Sequence, residues 1–333
     1  MNAPRRPAGH QRGFGLIEMM VALALGLLVV GGASVLFIAT RQANGATDNL
    51  GRMQESVRTS YDLMAREVRE AGGTPCDAQL LISDVLNNAQ GGAPTWWATW
   101  GEPLRGYASG TAFPGAAFGA GVGERVAGTS ALIVRYGAAI NDLAVAAHDT
   151  AGATFTVNRV DHGVVVGDLI VACNYRQGAI FNVSAVAAST FTHATSAAAD
   201  GNCSIGLGLP TVCANPGTTY QFSAGSLLGR LNAAGWYIGN NGRPETGGRS
   251  LYRVTRRGVE EVAEGVSAMH MDYLVAGGAD YVGPGAVADW TQVTAVRFDL
   301  TVQSPETAVA TTGAGQRLTR TVAFTVNLRN MQP

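Results

Sequence analysis

The sequence predicts an α+β fold in which one long N-terminal helix packs on an antiparallel β-sheet domain with long loops. Three observations predict it: an uncharged apolar run near the N-terminus, an apolar stripe of helical spacing directly after it, and alternating segments beyond residue 130. These patterns divide the chain into a basic leader (1–13), an apolar helix (14–40), an amphipathic continuation of that helix (41–72) and a β-rich globular domain (73–333).

Composition removes several classes of function. The chain has 333 residues, a formal net charge of −1 and 14% charged residues. All 23 basic residues are arginines, so the lysine of a P-loop, Schiff-base chemistry and Ser–Lys mechanisms are excluded. A near-neutral charge also argues against intrinsic nucleic-acid binding, which usually needs a basic surface.

The N-terminus has the charge pattern of a membrane segment. The leader contains three arginines and no acidic residue, and the uncharged run Met19–Thr40 comprises 22 residues. As a helix, that run is about 33 Å long, enough to cross the ~30 Å hydrocarbon layer of a membrane. A secretory signal peptide is an alternative, but the run is too long for one and no small-residue cleavage site follows it. A simple anchor would not explain the single carboxylate, Glu18, near one end.

The residues GFGLIE (13–18) resemble the class III signal of type IV prepilins, in which a basic leader and a glycine precede Phe, Glu and an apolar helix. This resemblance implies that a prepilin peptidase cleaves between Gly13 and Phe14 and that the amine of Phe14 is then methylated. It also implies that Glu18 fixes assembly register by pairing with a neighbouring subunit's amine. Gly15 departs from many relatives but leaves the cleavage motif intact.

The helix is predicted to continue beyond the apolar run. An apolar stripe with spacings of three and four residues marks one face, and Asp62 and Arg66 are placed to form an i,i+4 ion pair. Gly72, Gly73 and Pro75 are expected to end the helix. The stripe consists of Leu50, Met53, Val57, Tyr61, Met64 and Val68. We expect it to pack on the chain's own sheet, the alternative being a separate coiled coil.

Beyond the helix, residues 74–128 have little regular pattern, and Trp96, Trp97 and Trp100 are expected to anchor a long loop to the core rather than form a binding patch. Alternation in the last two segments predicts half-buried strands that cover the helix. The predicted strands are 131–136, 154–160, 168–173, 180–186, 251–254, 268–275, 293–302 and 318–328.

Several segments resemble the large minor pilins of the PilW type: residues 167–183, 249–254, 259–275, 290–304 and 321–330. This resemblance implies a structural subunit that helps to prime pilus assembly, with the pilus tip as one possible position. Its partners would be other minor pilins and the major pilin through the N-terminal helix, the prepilin peptidase and the inner-membrane assembly platform. It would first span the bacterial inner membrane once, with its N-terminus cytoplasmic and its domain periplasmic, and then enter the pilus.

Four cysteines allow three disulfide connectivities. We favour Cys203–Cys213, which closes a short loop containing Pro210, and by elimination Cys76–Cys173. A zinc site is the alternative, although no CxxC spacing is present.

No residue pattern indicates an enzyme, a metal site or a cofactor. The histidines form no HxxxH or HExxH pattern; His10 lies in the leader and the others are expected at surface or strand positions. Glu260, Glu261 and Glu264 are expected to form a solvated turn rather than a catalytic or calcium site.

Two other functions remain open at this point. One is a minor pseudopilin of a type II secretion system. The other is a tip adhesin or DNA receptor that uses residues 85–128 or 195–248. The formal charge after removal of the leader, −1 − 3 = −4, disfavours unaided DNA binding.

Overall fold

The computed structural model describes residues 15–76, 80–90, 95–307 and 316–331 and confirms the predicted α+β class. One helix, α1 (Leu16–Glu70), precedes all the strands. The strands in chain order are β1 (Ile82–Asp84), β2 (Leu104–Tyr107), β3 (Ala131–Asp149), β4 (Thr154–Val157), β5 (Leu169–Cys173), β6 (Gly178–Asn182), β7 (Ala185–Ala187), β8 (Thr190–Thr192), β9 (Leu227–Asn240), β10 (Arg249–Thr255), β11 (Gly258–Glu264), β12 (Val266–Val275), β13 (Val293–Gln303) and β14 (Thr319–Asn327).

The C-terminal strands form a three-stranded antiparallel sheet in the order β12-β13-β14. The predicted alternation in β13 is confirmed, because Val296, Phe298, Leu300 and Val302 are all buried. On β14, Val326 is buried and Phe324 is half-buried against the same core. This face of the sheet packs against the C-terminal half of α1.

The larger sheet has eleven strands, with the path β1-β6-β5-β9-β3-β4-β8-β7 and with β2, β10 and β11 attached at its side. Pairing is antiparallel except between β1 and β6. The central strand β9 lies in a part of the chain where the sequence predicted no strand. It pairs with β3, β5 and β10, so it joins most of the sheet.

The amphipathic part of α1 meets both sheets in the main core. Met53, Met64 and Val68 of the predicted stripe are buried together with Trp236 and Phe298. This confirms that the stripe packs on the chain's own sheets.

Two details of the helix differ from the prediction. Leu50 is 43% exposed, while the adjacent Asn49 is buried and donates from Nδ2 to Glu306 at 3.3 Å. At this level α1 therefore meets the polar loop after β13 instead of the apolar sheet. Asp62 pairs with Arg58 (3.7 Å) rather than with Arg66, because an arginine lies four residues away on either side and Arg66 has Glu70 at 3.8 Å.

A second core lies away from the helix. We call it the aromatic lobe core; it contains Phe155, Phe181, Phe191 and Phe222 between β3, β4, β5, β6 and β8, and no residue of α1 belongs to it. The chain therefore places a separate apolar centre in the part of the domain that α1 does not touch.

Two strand predictions are corrected by the structure. The segment 180–186 is divided between β6 and β7, and the predicted 154–160 strand ends at Val157. Glu260, Glu261 and Glu264 lie on β11 rather than in a turn; the turn is at Arg256 and Arg257, between β10 and β11.

Candidate functional site: the N-terminal helix and its seat

The first half of α1 stands free of the domain. Its apolar side chains are largely exposed, for example Leu16 (81%), Val29 (72%) and Leu36 (70%). By length and composition this helix can cross a membrane. Ser34 and Thr40 donate their hydroxyls to the carbonyls of Val30 and Leu36 at 2.8 Å, so these polar groups are satisfied within the helix itself.

Glu18 lies in the first turn of α1 and is exposed. Its carboxylate has no hydrogen-bond or ion-pair partner among the described residues, and it is the only ionisable side chain between Leu16 and Thr40. Gly13 and Phe14, together with the leader that precedes them, lie outside the described residues. An unpaired carboxylate beside an apolar helix surface is suited to an intermolecular cationic partner.

Glu67 fixes the other end of α1 to the large sheet. Trp236 on β9 donates from Nε1 to Glu67 Oε2 at 2.7 Å, and Arg253 on β10 donates from Nε and Nη2 to Oε1 at 3.0 and 2.5 Å. The Glu67 side chain is 9% exposed. Burial lowers the pKa of Arg253, but its hydrogen bonds to Glu67 and Glu260 raise that pKa by more. The net pKa lies above the usual arginine value, so the guanidinium stays charged. The carboxylate is thus fully satisfied in a buried site, which makes it an anchor for the helix.

Aromatic contact secures α1 on the small sheet. The rings of Tyr61 and Phe324 meet edge to face with centroids 4.9 Å apart, and Phe324 stacks on Phe298 at 5.0 Å. Because Tyr61 and Glu67 contact different sheets, the helix cannot rotate about its axis without losing one of the two contacts.

The cysteines form two pairs at disulfide distance. Cys76 and Cys173 have Cα atoms 6.0 Å apart, and Cys203 and Cys213 have Cα atoms 5.0 Å apart. These are the two pairs that the sequence favoured, and the four sulfurs do not meet as one zinc-ligand set. The first pair joins the segment just after α1 to β5, in the large sheet.

Two buried arginines hold the long loops in place. The sequence alone did not indicate this role for them. Arg125 is fully buried and donates to the carbonyls of Thr111, Ala108 and Thr129 at 2.5–3.0 Å. Arg135 donates in the same way to the carbonyls of Trp96 and Glu102. Burial lowers the pKa of each arginine to about 10, so both remain charged at neutral pH.

The three tryptophans are half-buried and anchor the same loop region. Trp97 and Trp100 pack against a cluster around Val171 and Ile180, and Trp96 packs against the cluster around Phe113 and Tyr237. The expectation that they anchor a loop is confirmed.

The histidines were expected at surface or strand positions. His148 lies on strand β3, as expected, whereas His162 and His193 lie outside the strands, and all three are buried. The Nε2 atoms of His148 and His193 lie 3.2 Å apart in the aromatic lobe core, and His148 stacks on Phe155 at 4.0 Å. The two residues are 45 positions apart, so no local pattern could pair them. Among the residues that the structure describes, no three His, Cys, Asp or Glu side chains group as metal ligands.

The hydrogen bonds around this pair determine which nitrogen of each neutral ring carries the proton. Phe222 N–H donates to His148 Nδ1 at 3.2 Å, so neutral His148 carries its proton on Nε2 and donates it to His193. His193 then carries its proton on Nδ1, which has no hydrogen-bond partner among the described residues. Burial lowers the pKa of His148 to about 4, against a smaller opposing effect of Asp149. Burial and the neighbouring His148 lower the pKa of His193 to about 3.

Comparison with known proteins supports the N-terminal part of this site. Residues 9–34 match the family model described as the prokaryotic N-terminal methylation motif. No curated protein and no solved structure matches the chain. The matched residues contain Gly13, Phe14 and Glu18 and extend into the exposed half of α1. The motif supports a type IV pilin-like or pseudopilin-like subunit, a class of structural proteins that a prepilin peptidase processes and that assemble into a pilus with other pilins.

Proposed function

We propose that the protein is a minor type IV pilin of the PilW type that helps to prime pilus assembly, with a place at or near the pilus tip. The observation that supports this best is the methylation motif continued by a helix whose first half is uncovered and whose second half is fixed to a β-rich domain. Such a subunit presents an apolar helix for assembly and holds a large domain outward.

In this proposal the leader 1–13 keeps the N-terminus cytoplasmic, and the helix crosses the inner membrane once, with the domain in the periplasm. Cleavage follows Gly13, and methylation modifies the amine of Phe14. Glu18 then enters the filament core, where the cationic N-terminal amine of a neighbouring subunit neutralises it. Residues 73–333 form the extracytoplasmic domain, in which Cys76–Cys173 and Cys203–Cys213 are disulfides, as that compartment permits. The role is structural, with neither a cofactor nor a reaction assigned to it.

A deletion strain tests this function. Loss of the gene should remove or strongly reduce surface pili and twitching while exoprotein secretion stays at the parental level, and the wild-type chain should restore piliation. If secretion is lost and pili are unchanged, the protein is a pseudopilin of a type II system and the proposal fails.

The alternative of a DNA-receptor subunit has its own test. The full chain in detergent, titrated with duplex DNA at rising salt, should show no binding that weakens steeply with salt, because its formal charge without the leader is −4. Tight, salt-sensitive binding would favour the receptor.

A further inference from the structure

The outer edge of β14 is a long strand edge that has no partner strand among the described residues. In the β13–β14 ladder, Ser304 N–H donates to the carbonyl of Leu318 and Leu328 N–H donates to the carbonyl of Thr294. The register between these two bonds is continuous, so the even-numbered residues of β14 bond to β13. The odd-numbered residues therefore direct their N–H and C=O groups away from the sheet. These residues are Thr319, Thr321, Ala323, Thr325 and Asn327, and all five side chains are exposed.

The edge has few of the features that normally prevent strand pairing. Proteins protect exposed edges with short strands, charges, prolines or bulges. β14 has nine residues, no proline, no acidic residue and no register shift, and its one charged residue is Arg320. Its threonines and its Val and Phe residues have high strand propensity.

The other outer strands among the described residues are protected. β1 and β7 have three residues each, and β2 has four. β11 carries three glutamates. β12 has two register irregularities. Its outer side is already hydrogen-bonded: Ser130 N–H donates to the carbonyl of Met269, and Tyr273 and Val282 exchange two backbone hydrogen bonds. β14 thus differs from every other outer strand of the described part.

The apolar face of β14 is also incompletely covered. Val322 and Phe324 are half-buried although both point to the side of the sheet that α1 covers. A strand added outside β14 would place alternate side chains next to these two residues and would bury them further.

We propose that the β14 edge accepts a strand from a different pilin-like subunit of the same assembly. This inference rests on the proposed function and names the surface through which a neighbour is recognised. A second copy of this chain is a poor occupant. Its other described outer strands carry the protections given above, and an antiparallel β14–β14 pair is related by a two-fold axis normal to the sheet, so the two α1 helices would run in opposite directions. Phe324 of β14 contacts Tyr61 of α1, so a strand paired here lies next to the assembly helix of this subunit. The partner is expected to offer an extended segment with apolar residues at alternate positions and no charge on the face that meets Val322 and Phe324.

The test uses the full chain in piliated cells, with p-benzoylphenylalanine in place of Thr325 on the β14 edge. The control carries the same group in place of Val259 on the glutamate-rich β11 edge, where the side chain is 51% exposed. Irradiation should give an adduct from position 325, and not from 259, with a second protein whose N-terminus carries a methylation motif. An adduct within the same chain, an adduct with a second copy, or equal adducts from both positions would overturn the inference.

A variant that changes the backbone of β14 provides a second test of the same inference. Ala323→Pro removes an outward N–H and no ladder bond, and proline is tolerated at such edge positions. It should lower both the adduct from position 325 and the amount of chain in sheared pili about tenfold, the effect of losing about 1.4 kcal/mol of interaction. Ala323→Thr keeps the N–H and should stay within about twofold of wild type on the same scale.

Processing and folding controls separate this inference from the function on which it depends. Ala323→Pro should still begin at N-methyl-Phe14 and should resist trypsin as wild type does. If wild type is processed and incorporated while Ala323→Pro is incorporated equally well, the edge inference fails and the pilin function stands. If wild type itself retains Met1, the failure lies in the proposed function.

Discussion

Two glutamates on one helix illustrate how residue environment separates an assembly contact from a folding contact. Glu67 receives three hydrogen bonds from Trp236 and Arg253 inside the subunit, whereas Glu18 has no partner among the described residues. A carboxylate that enters an apolar filament core needs a cation there, and the described residues of the single chain offer none at that level. Glu67 therefore acts in folding, and the exposed carboxylate of Glu18 supports its proposed role in assembly.

The proposed role of Glu18 predicts a specific defect. Glu18→Ala should insert in the membrane and be processed like wild type, but its amount in sheared pili should fall at least about tenfold, because it cannot neutralise a neighbour's amine. Immunoblots of membrane and pilus fractions measure both quantities. Ser34→Ala, a change in the same apolar half, is the matched control and should assemble normally; equal incorporation of Glu18→Ala would contradict the account.

The buried His148–His193 pair predicts acid sensitivity. Both pKa values are lowered in the folded state, to about 4 and about 3, so the unfolded chain binds more protons below its own histidine pKa near 6.5. The contribution of this pair to stability is therefore complete above pH 6.5 and is lost as the pH falls toward 4, by up to about 1.4 kcal/mol per pH unit for each histidine.

Urea unfolding of the detergent-solubilised chain at several pH values measures this slope. His193→Gln removes one of the two titrating groups and should reduce the slope between pH 6 and 4.5 by about one proton. Val157→Ala, which alters the same aromatic lobe core without removing a titrating group, is the control and should keep the wild-type slope. Identical slopes in wild type and His193→Gln would show that the pair does not titrate as the geometry requires.

Among the secondary-structure elements, the contacts of α1 with the two sheets decide whether the domain has a fixed orientation on the helix. Glu67→Ala would leave Trp236 Nε1 and the Arg253 guanidinium without their buried partner, at a cost of about 3 kcal/mol in the free energy of unfolding. Asp62→Ala, which removes a largely exposed ion pair with Arg58, should cost less than about 1 kcal/mol. Denaturant unfolding compares the two, and similar losses would refute the anchor.

The two disulfides should differ in their contribution because they close loops of different length. Cys76–Cys173 spans 97 residues and Cys203–Cys213 spans 10. The chain-entropy estimate gives about 4.7 kcal/mol for a loop near 100 residues and about 2.7 kcal/mol for a loop of 10. Cys76→Ser with Cys173→Ser should therefore lower stability more than Cys203→Ser with Cys213→Ser. Mass spectrometry of the alkylated, non-reduced variants should find no alkylated cysteine, because the remaining two cysteines stay bonded; alkylation of both would contradict the pairing. The reverse order of stability would contradict the loop-length argument.

Elements with regular period could be predicted from the sequence, and elements defined by long-range packing could not. The 3.6-residue stripe of α1 and the alternation of β13 are local properties. β9 was missed because it is buried on both faces and rich in Gly and Ala, so it does not alternate. Its Gly235 is required by close packing: a Cβ there would lie 2.7 Å from both Phe113 and Val254, neither of which is near it in sequence.

The candidate site divides in the same way. Gly13, Phe14 and Glu18 are separated by fixed short intervals, so their motif can be read without a structure. The Glu67 anchor joins residues 169 and 186 positions apart, and the unprotected edge of β14 is recognised only once the sheet order is known. Sequence therefore predicts how the chain is processed, and the fold predicts where neighbours are recognised.

At the scale of the whole molecule, the described chain has an uncovered apolar helix at one end and an aromatic lobe core that contains no helix residue. This separation suits a subunit whose helix is buried among neighbours while its domain faces outward. The central claim is that the first half of α1 enters a filament after cleavage at Gly13.

Mass spectrometry of the N-terminal peptide from sheared pili tests that claim most directly. We expect a peptide that begins at N-methyl-Phe14, which would establish processing and incorporation in one measurement. A chain that retains Met1, or one cleaved after residue 30, would contradict it and would leave a plain anchored or secreted protein in its place.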